Sequence, residues 1–166
     1  MYHLKKIAVL CFVLCCFTIM FCFLNKEHFY IHNEKMHIKG IRIVKIFSTP
    51  GIEGKDIVEN ITLYDKKEID DVISKLKSYS FYKTISLEKI TGITSTTEDM
   101  TQFFIYIQYD TGRQQNHIDS IDVVCTEHMT WKKVLTKCGN KQYNGKVSNK
   151  TMQQFLEDMQ IYFDNE

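Results

Sequence analysis

An α+β fold, with an N-terminal transmembrane helix followed by an antiparallel sheet carrying two amphipathic helices on one face, is what the amino-acid sequence predicts. Three observations lead there. Ile7 to Leu24, IAVLCFVLCCFTIMFCFL, is an unbroken apolar run without a charged residue. Beyond residue 40, stretches of period-two alternation follow one another, separated by turn residues. Two further stretches, opening at Asp65 and at Ser148 or Asn149, set apolar residues at helical spacing behind a capping side chain.

The apolar run fixes the address. Eighteen residues in a helix cover roughly 27 Å, close to the hydrocarbon thickness of a bilayer. Lys5 and Lys6 precede the run, whereas Lys26 and Glu27 cancel just after it, so the charge rule keeps residues 1–6 in the cytoplasm and the rest of the chain outside. A cleavable signal peptide would have a shorter apolar core and small residues at the cut, and Phe21, Cys22, Phe23 and Leu24 supply none. For a lipid anchor only Cys16, preceded by Cys15, comes near the required pattern. The segment 7–24 is therefore expected to be an uncleaved, single-pass signal-anchor in contact with the lipid bilayer, and Cys11, Cys15, Cys16 and Cys22 within it serve as small apolar groups.

Residues 25–39 have no clean period and are expected to form a juxtamembrane linker, with Phe29 and Tyr30 in an interfacial aromatic belt. His28 and His32 lie four apart, which suits two ligands on one helical face, but no carboxylate completes a metal set. Residues 40–166 form the extracytoplasmic domain. Ile41 to Ile46 alternates as a first strand and ends near Ser48-Thr49-Pro50-Gly51. Ile57 to Tyr64 makes a second, with Glu59 breaking its apolar face and placing it near a sheet edge.

Asp65 and Glu68 open a helix whose apolar stripe is Ile69, Val72, Ile73 and Leu76. Tyr79 to Ile90 reads as a strand with Phe81, Ile85 and Leu87 on one side, and Thr91 to Asp99 as a loop. Thr101 to Tyr109 carries the strongest alternation, with Phe103, Ile105, Ile107 and Tyr109 toward the core and Phe104 and Tyr106 away from it. Asp110-Thr111-Gly112-Arg113 is tight-turn chemistry, so Ile118 to Cys125 should return antiparallel. Met129 to Leu135 adds another strand, Asn144-Gly145 marks a hairpin turn, and the final helix carries Met152, Phe155, Leu156, Met159 and Phe163.

Composition narrows function more than motifs do. With 21 basic and 20 acidic residues, net charge +1, the chain lacks the positive field of a nucleic-acid binder. No G-x-S-x-G, H-E-x-x-H, P-loop or dinucleotide fingerprint occurs, so no catalytic residue and no cofactor is assigned. Asp70-Asp71 and the Asp119/Asp122 pair each diverge in direction and do not form acid/base machinery. Asn60-Ile61-Thr62 and Asn149-Lys150-Thr151 fit the glycosylation sequon, which matters only for a eukaryotic source.

Cys125 and Cys138 lie on the oxidising side and are the disulfide candidate; closing the loop between them would contribute about 3 kcal/mol. A zinc set of His117, Cys125, His128 and Cys138 has the right donor chemistry but the spacing of no known finger or ribbon. Cys125 with His128 as base is the corresponding thiol-enzyme reading, against which stands its place at a strand end. The binding-face candidates are Phe104 and Tyr106, flanked by Tyr82.

The sparse arginine, abundant isoleucine and single proline have the look of low-GC bacterial coding. The layout from Ile41 to Phe163, with its Asp65-capped helix, Asp110-Thr111-Gly112 turn and Tyr143-Asn144-Gly145-Lys146 segment behind a charged start and apolar run, resembles small uncharacterised membrane-anchored extracytoplasmic proteins of Gram-positive bacteria. That resemblance implies location and fold, and no activity. The expected function is an anchored module that binds a protein or cell-envelope ligand. The alternative is an anchored immunity or inhibitor protein against a toxin or envelope hydrolase, and a zinc or thiol enzyme ranks below both.

Overall fold

The computed structural model describes residues 2–24, 26–30, 37–50, 56–83, 98–110, 117–130, 132–139 and 141–164. Helix α1 (Tyr2–Leu24) comes first, then strands β1 (Lys26–His28), β2 (His37–Ser48) and β3 (Ile57–Leu63), and helix α2 (Lys66–Ser78). Strands β4 (Ser80–Lys83), β5 (Met100–Asp110), β6 (His117–Thr126), β7 (Lys132–Cys138) and β8 (Lys141–Lys146) precede the last helix, α3 (Asn149–Asp164). Among the described residues all eight strands join one antiparallel sheet in the order β1-β4-β8-β7-β6-β5-β2-β3. The α+β class and the antiparallel sheet agree with the sequence expectation.

The inner face of the sheet supplies Ile41, Ile43, Phe103, Ile105, Ile107, Ile121, Val123 and Val134 to the core. Ile69, Val72, Ile73 and Leu76 of α2 and Met152, Phe155 and Met159 of α3 meet them there. Both helices start as their sequences dictate. Asp65 Oδ1 accepts the backbone N–H groups of Lys67 at 2.8 Å and Glu68 at 3.3 Å, and Ser148 Oγ accepts that of Thr151 at 3.1 Å. The helices are tied together by Tyr162, whose hydroxyl donates to Asp71, and by Tyr79, whose hydroxyl donates to Asp158. Strand β3 is an edge, as Glu59 implied; Glu59 is satisfied by Lys45 at 3.0 Å, and Lys45 also reaches Gln160 of α3 at 2.8 Å.

Four local expectations are corrected. Of the expected linker 25–39, residues 26–30 and 37–39 belong to the folded domain: β1 pairs with β4, β2 already starts at His37, and Phe29 and Tyr30 are buried in the core rather than set in an interfacial belt. Phe29 packs its ring 5.5 Å from those of Tyr79 and Phe155 and 6.0 Å from that of Phe81. Its N–H donates to Tyr79 O at 3.1 Å, and its carbonyl accepts Thr136 Oγ1 at 3.0 Å. The folded domain therefore begins at Lys26.

Asn144-Gly145 is not a turn. Both residues lie within β8, where a Cβ on Gly145 would run into the Phe81 ring. The β7–β8 reversal instead passes through Gly139, at φ 56°, a conformation that favours glycine. Strand β7 itself begins at Lys132 and runs to Cys138, later than the Met129 to Leu135 expectation, because Met129 (φ 55°) belongs to the β6–β7 turn closed by its N–H on Thr126 O at 2.9 Å.

The fourth correction concerns Cys125 and Cys138, which are free thiols. Cys125 pairs with Lys132, six residues before Cys138 on β7, so the two lie about 20 Å apart along the strand direction. A disulfide needs Cα atoms within roughly 7 Å. Expectations at His32, Ile85, Leu87, the 91–97 loop and the 111–113 turn lie outside the described residues.

Within α1 the described side chains, among them Ile7, Val9, Leu10, Phe12, Leu14 and Phe17, are exposed and belong to no part of the core. Among the described residues no helix is long and apolar enough to cross a membrane. The transmembrane expectation for 7–24 rests on the amino-acid sequence.

Candidate functional site

The outer face of the sheet is the side that neither α2 nor α3 covers, and strand parity decides what it presents. Because side chains alternate, the residues that bring Phe103 and Ile105 into the core send Phe104 and Tyr106 outward. Register then fixes their neighbours. Phe104 lies beside Val44 on β2 and Asp122 on β6, and Asp122 in turn beside Leu135 on β7. Tyr106 lies beside Arg42 and Ser120.

The Phe104 and Tyr106 rings are parallel to within 5°, with centroids 6.3 Å apart. Both are half-buried, so the pair forms an aromatic platform in the middle of the sheet. Burial pushes the Asp122 carboxyl up to about 6. Burial also raises the Tyr106 phenol, with the Asp122 charge adding to the effect and Arg42 opposing it. A flat apolar platform between a guanidinium and a carboxyl that titrates near neutrality can receive a planar or apolar group and orient its polar edge.

Tyr82 shares this face and is 53 % exposed, but it does not flank the platform. Strand β4 stands four places from β5 in the sheet, about 19 Å away. The expectation of one aromatic patch from Tyr82, Phe104 and Tyr106 is thus divided into two separate features.

The proposed zinc residues are not brought together. His117 and Cys125 sit eight residues apart on β6, about 27 Å, His128 is in the β6–β7 turn, and Cys138 is at the far end of β7. Among the described residues no group of three or more His, Cys, Asp or Glu could hold a metal ion. Burial pushes the Cys125 and Cys138 thiols up to about 11, the reverse of what activates a thiolate nucleophile.

Two features were not anticipated from sequence. The first is a buried polar chain on the inner face: Tyr30 and Tyr109 hydroxyls lie 3.0 Å apart, Tyr109 and Cys138 hydrogen-bond Asp119, and Asp119 Oδ1 accepts the Gly139 N–H at 2.8 Å. It fastens the residues after α1 to β5, β6 and the β7–β8 turn. The second is a groove of about 460 Å³ between β3, α2 and α3, lined by Leu63, Glu68, Asp71, Lys75 and Tyr162. Asp71 is held below its ordinary pKa by the Tyr162 hydroxyl and by Lys75, whose ammonium is 2.9 Å away. The i,i+4 spacing of Asp71 and Lys75 was open to inspection in the sequence, whereas their meeting with Tyr162 depends on how α3 lies across α2.

No protein-family model, no curated protein and no solved structure matches the chain.

Proposed function

We propose that this chain is a single-pass, membrane-anchored binding module, with its N-terminus in the cytoplasm, residues 7–24 in the bilayer and its α+β domain outside. The charge-free run Ile7 to Leu24 supports the anchor, and so does the exposure of its described apolar side chains, which no part of the core covers. The single observation that carries the binding reading is the Phe104–Tyr106 platform, half-buried on the face opposite both helices. Its ligand is a protein or an envelope component that offers a planar or apolar group. Capture of a toxin or an envelope hydrolase would make the module an immunity or inhibitor protein.

The test is capture from solubilised membranes with the full chain as bait, repeated with Phe104→Ala/Tyr106→Ala. Neither ring is part of the helix-covered core, so the variant should fold. A partner held by the parent chain and lost by the variant at unchanged thermal midpoint is the expected result. Equal capture by both would show that the platform is not the binding face.

A further inference from the structure

Strand β3 ends the sheet with half of its backbone available. One flank pairs with β2 without interruption from Ile41–Leu63 to Phe47–Ile57, and among the described residues no strand lies on the other flank. An antiparallel edge of this kind leaves the N–H and C=O groups of alternate residues unpaired. Edges are commonly blunted by proline, lysine, a bulge or very short length. The seven residues Ile57–Leu63, IVENITL, contain neither proline nor lysine, and their register on β2 has no bulge. Glu59, the one charge among them, is neutralised by Lys45 at 3.0 Å. Ile57, Val58, Asn60 and Thr62 are exposed.

The groove between β3, α2 and α3 opens beside the Leu63 end of this edge. Ile61, Thr62 and Leu63 form one wall, Glu68, Asp71 and Lys75 of α2 another, and Tyr162 of α3 lines it too. Parity places Ile61 and Leu63 on the inner side of the sheet, beside Ile43 and Ile41. A strand added about 4.8 Å from β3 would turn every second side chain to that same side, over the groove. The charges waiting there are unequal. Asp71 and Lys75 neutralise each other at 2.9 Å, and Lys75 also reaches the Tyr162 hydroxyl at 3.1 Å. Glu68 is exposed and has no ion pair among the described residues; Lys66 and Lys67 precede it on α2 without lining the groove.

We propose that the free edge of β3 docks an extended segment of another protein, which pairs with it as a further strand and lays a lysine or arginine side chain against Glu68. Backbone pairing supplies the attachment, and the groove selects the side chain. Charge complementarity decides the occupant. A second copy pairing through its own β3 would bring no cation to Glu68, since that strand holds no basic residue. The site is separate from the Phe104–Tyr106 platform and stands whether or not residues 7–24 occupy a bilayer.

The probe is a capped octapeptide of alternating valine and lysine, titrated into the full chain in a neutral detergent, with the valine–glutamate octapeptide as control. Binding is followed by calorimetry and by amide hydrogen exchange resolved to single residues. The lysine peptide should bind and slow exchange several-fold within Ile57–Leu63, while Lys26–His28 at the opposite edge keeps its rates. Glu68→Lys should weaken that binding several-fold at unchanged thermal midpoint, whereas Glu127→Lys, in the distant β6–β7 turn, should not. Absence of binding, or binding that leaves the β3 amides unprotected, overturns the docking. Equal affinity for the glutamate peptide overturns the basic occupant. A chain that is dimeric before peptide is added, with its β3 amides already protected, overturns the assignment to another protein in favour of a second copy.

Discussion

Replacing Phe29 by alanine probes the largest departure from the sequence expectation. The side chain is fully buried, within ring contact of Tyr79, Phe81 and Phe155, and the residue's own N–H and C=O are bonded to β-sheet and loop partners. Truncating a phenylalanine so placed removes its transfer energy and leaves a cavity, together about 3 to 5 kcal/mol. Against a typical total stability of about 5 to 15 kcal/mol, that is a large fraction. The backbone bonds survive the change, so the loss should be one of packing. Urea unfolding of the soluble fragment beginning at Lys26, compared with its Phe29→Ala form, gives the difference directly. A fragment beginning at Tyr30, which lacks β1 and Phe29, should be less stable than either. A Phe29→Ala cost below about 1 kcal/mol would refute the placement of 26–30 in the core and restore the linker.

Three further outcomes follow from packing and ionisation. Gly145→Ala should cost about 2 to 3 kcal/mol because its methyl meets the Phe81 ring, and Phe81→Leu should relieve part of that cost in a double-mutant cycle; purely additive losses would contradict the contact. Asp122 has a folded pKa of about 6 against an unfolded value near 3.8, so the folded state keeps its proton to higher pH. Stability should therefore fall as pH rises from about 4 through 6 and level off above, and Asp122→Asn should remove that slope and stabilise the neutral-pH protein by about 1 to 2 kcal/mol, a figure reduced for solvent reaching this half-exposed group. An unchanged pH profile in Asp122→Asn would contradict the burial of the carboxyl. Denatured without reductant, all six cysteines should alkylate; only four doing so until reductant is added would reveal a disulfide.

Local signals were sufficient where structure is decided locally. Asp65 with its apolar stripe, Ser148 with Met152, Phe155 and Met159, and the alternation of Phe103 to Tyr109 each act within a few residues, and each element stands where those residues place it. The edge position of β3 was legible through a single misplaced charge, Glu59. Phe29 and Tyr30 were not, because β1 is three residues long and finds its partner β4 more than fifty residues later, leaving no period to detect. Asn144-Gly145 carried a genuine turn signature that tertiary packing overrode, since β8 needs a residue without a side chain beneath Phe81.

The site divides in the same way. That Phe104 and Tyr106 share a face away from the core follows from parity alone, but their company of Arg42 and Asp122 depends on inter-strand register. Cys125 and Cys138 erred in the opposite direction: their separation in sequence suited a loop closure, and a seven-residue strand between them rules it out.

The tether is tested most directly by the intact mass of the protein recovered from alkali-washed membranes of cells that express it. A mass that includes residues 7–24, without a lipid adduct and retained in the bilayer fraction, is the result expected of an uncleaved anchor. Release into the wash, or a mass lacking the residues through Leu24, would contradict it.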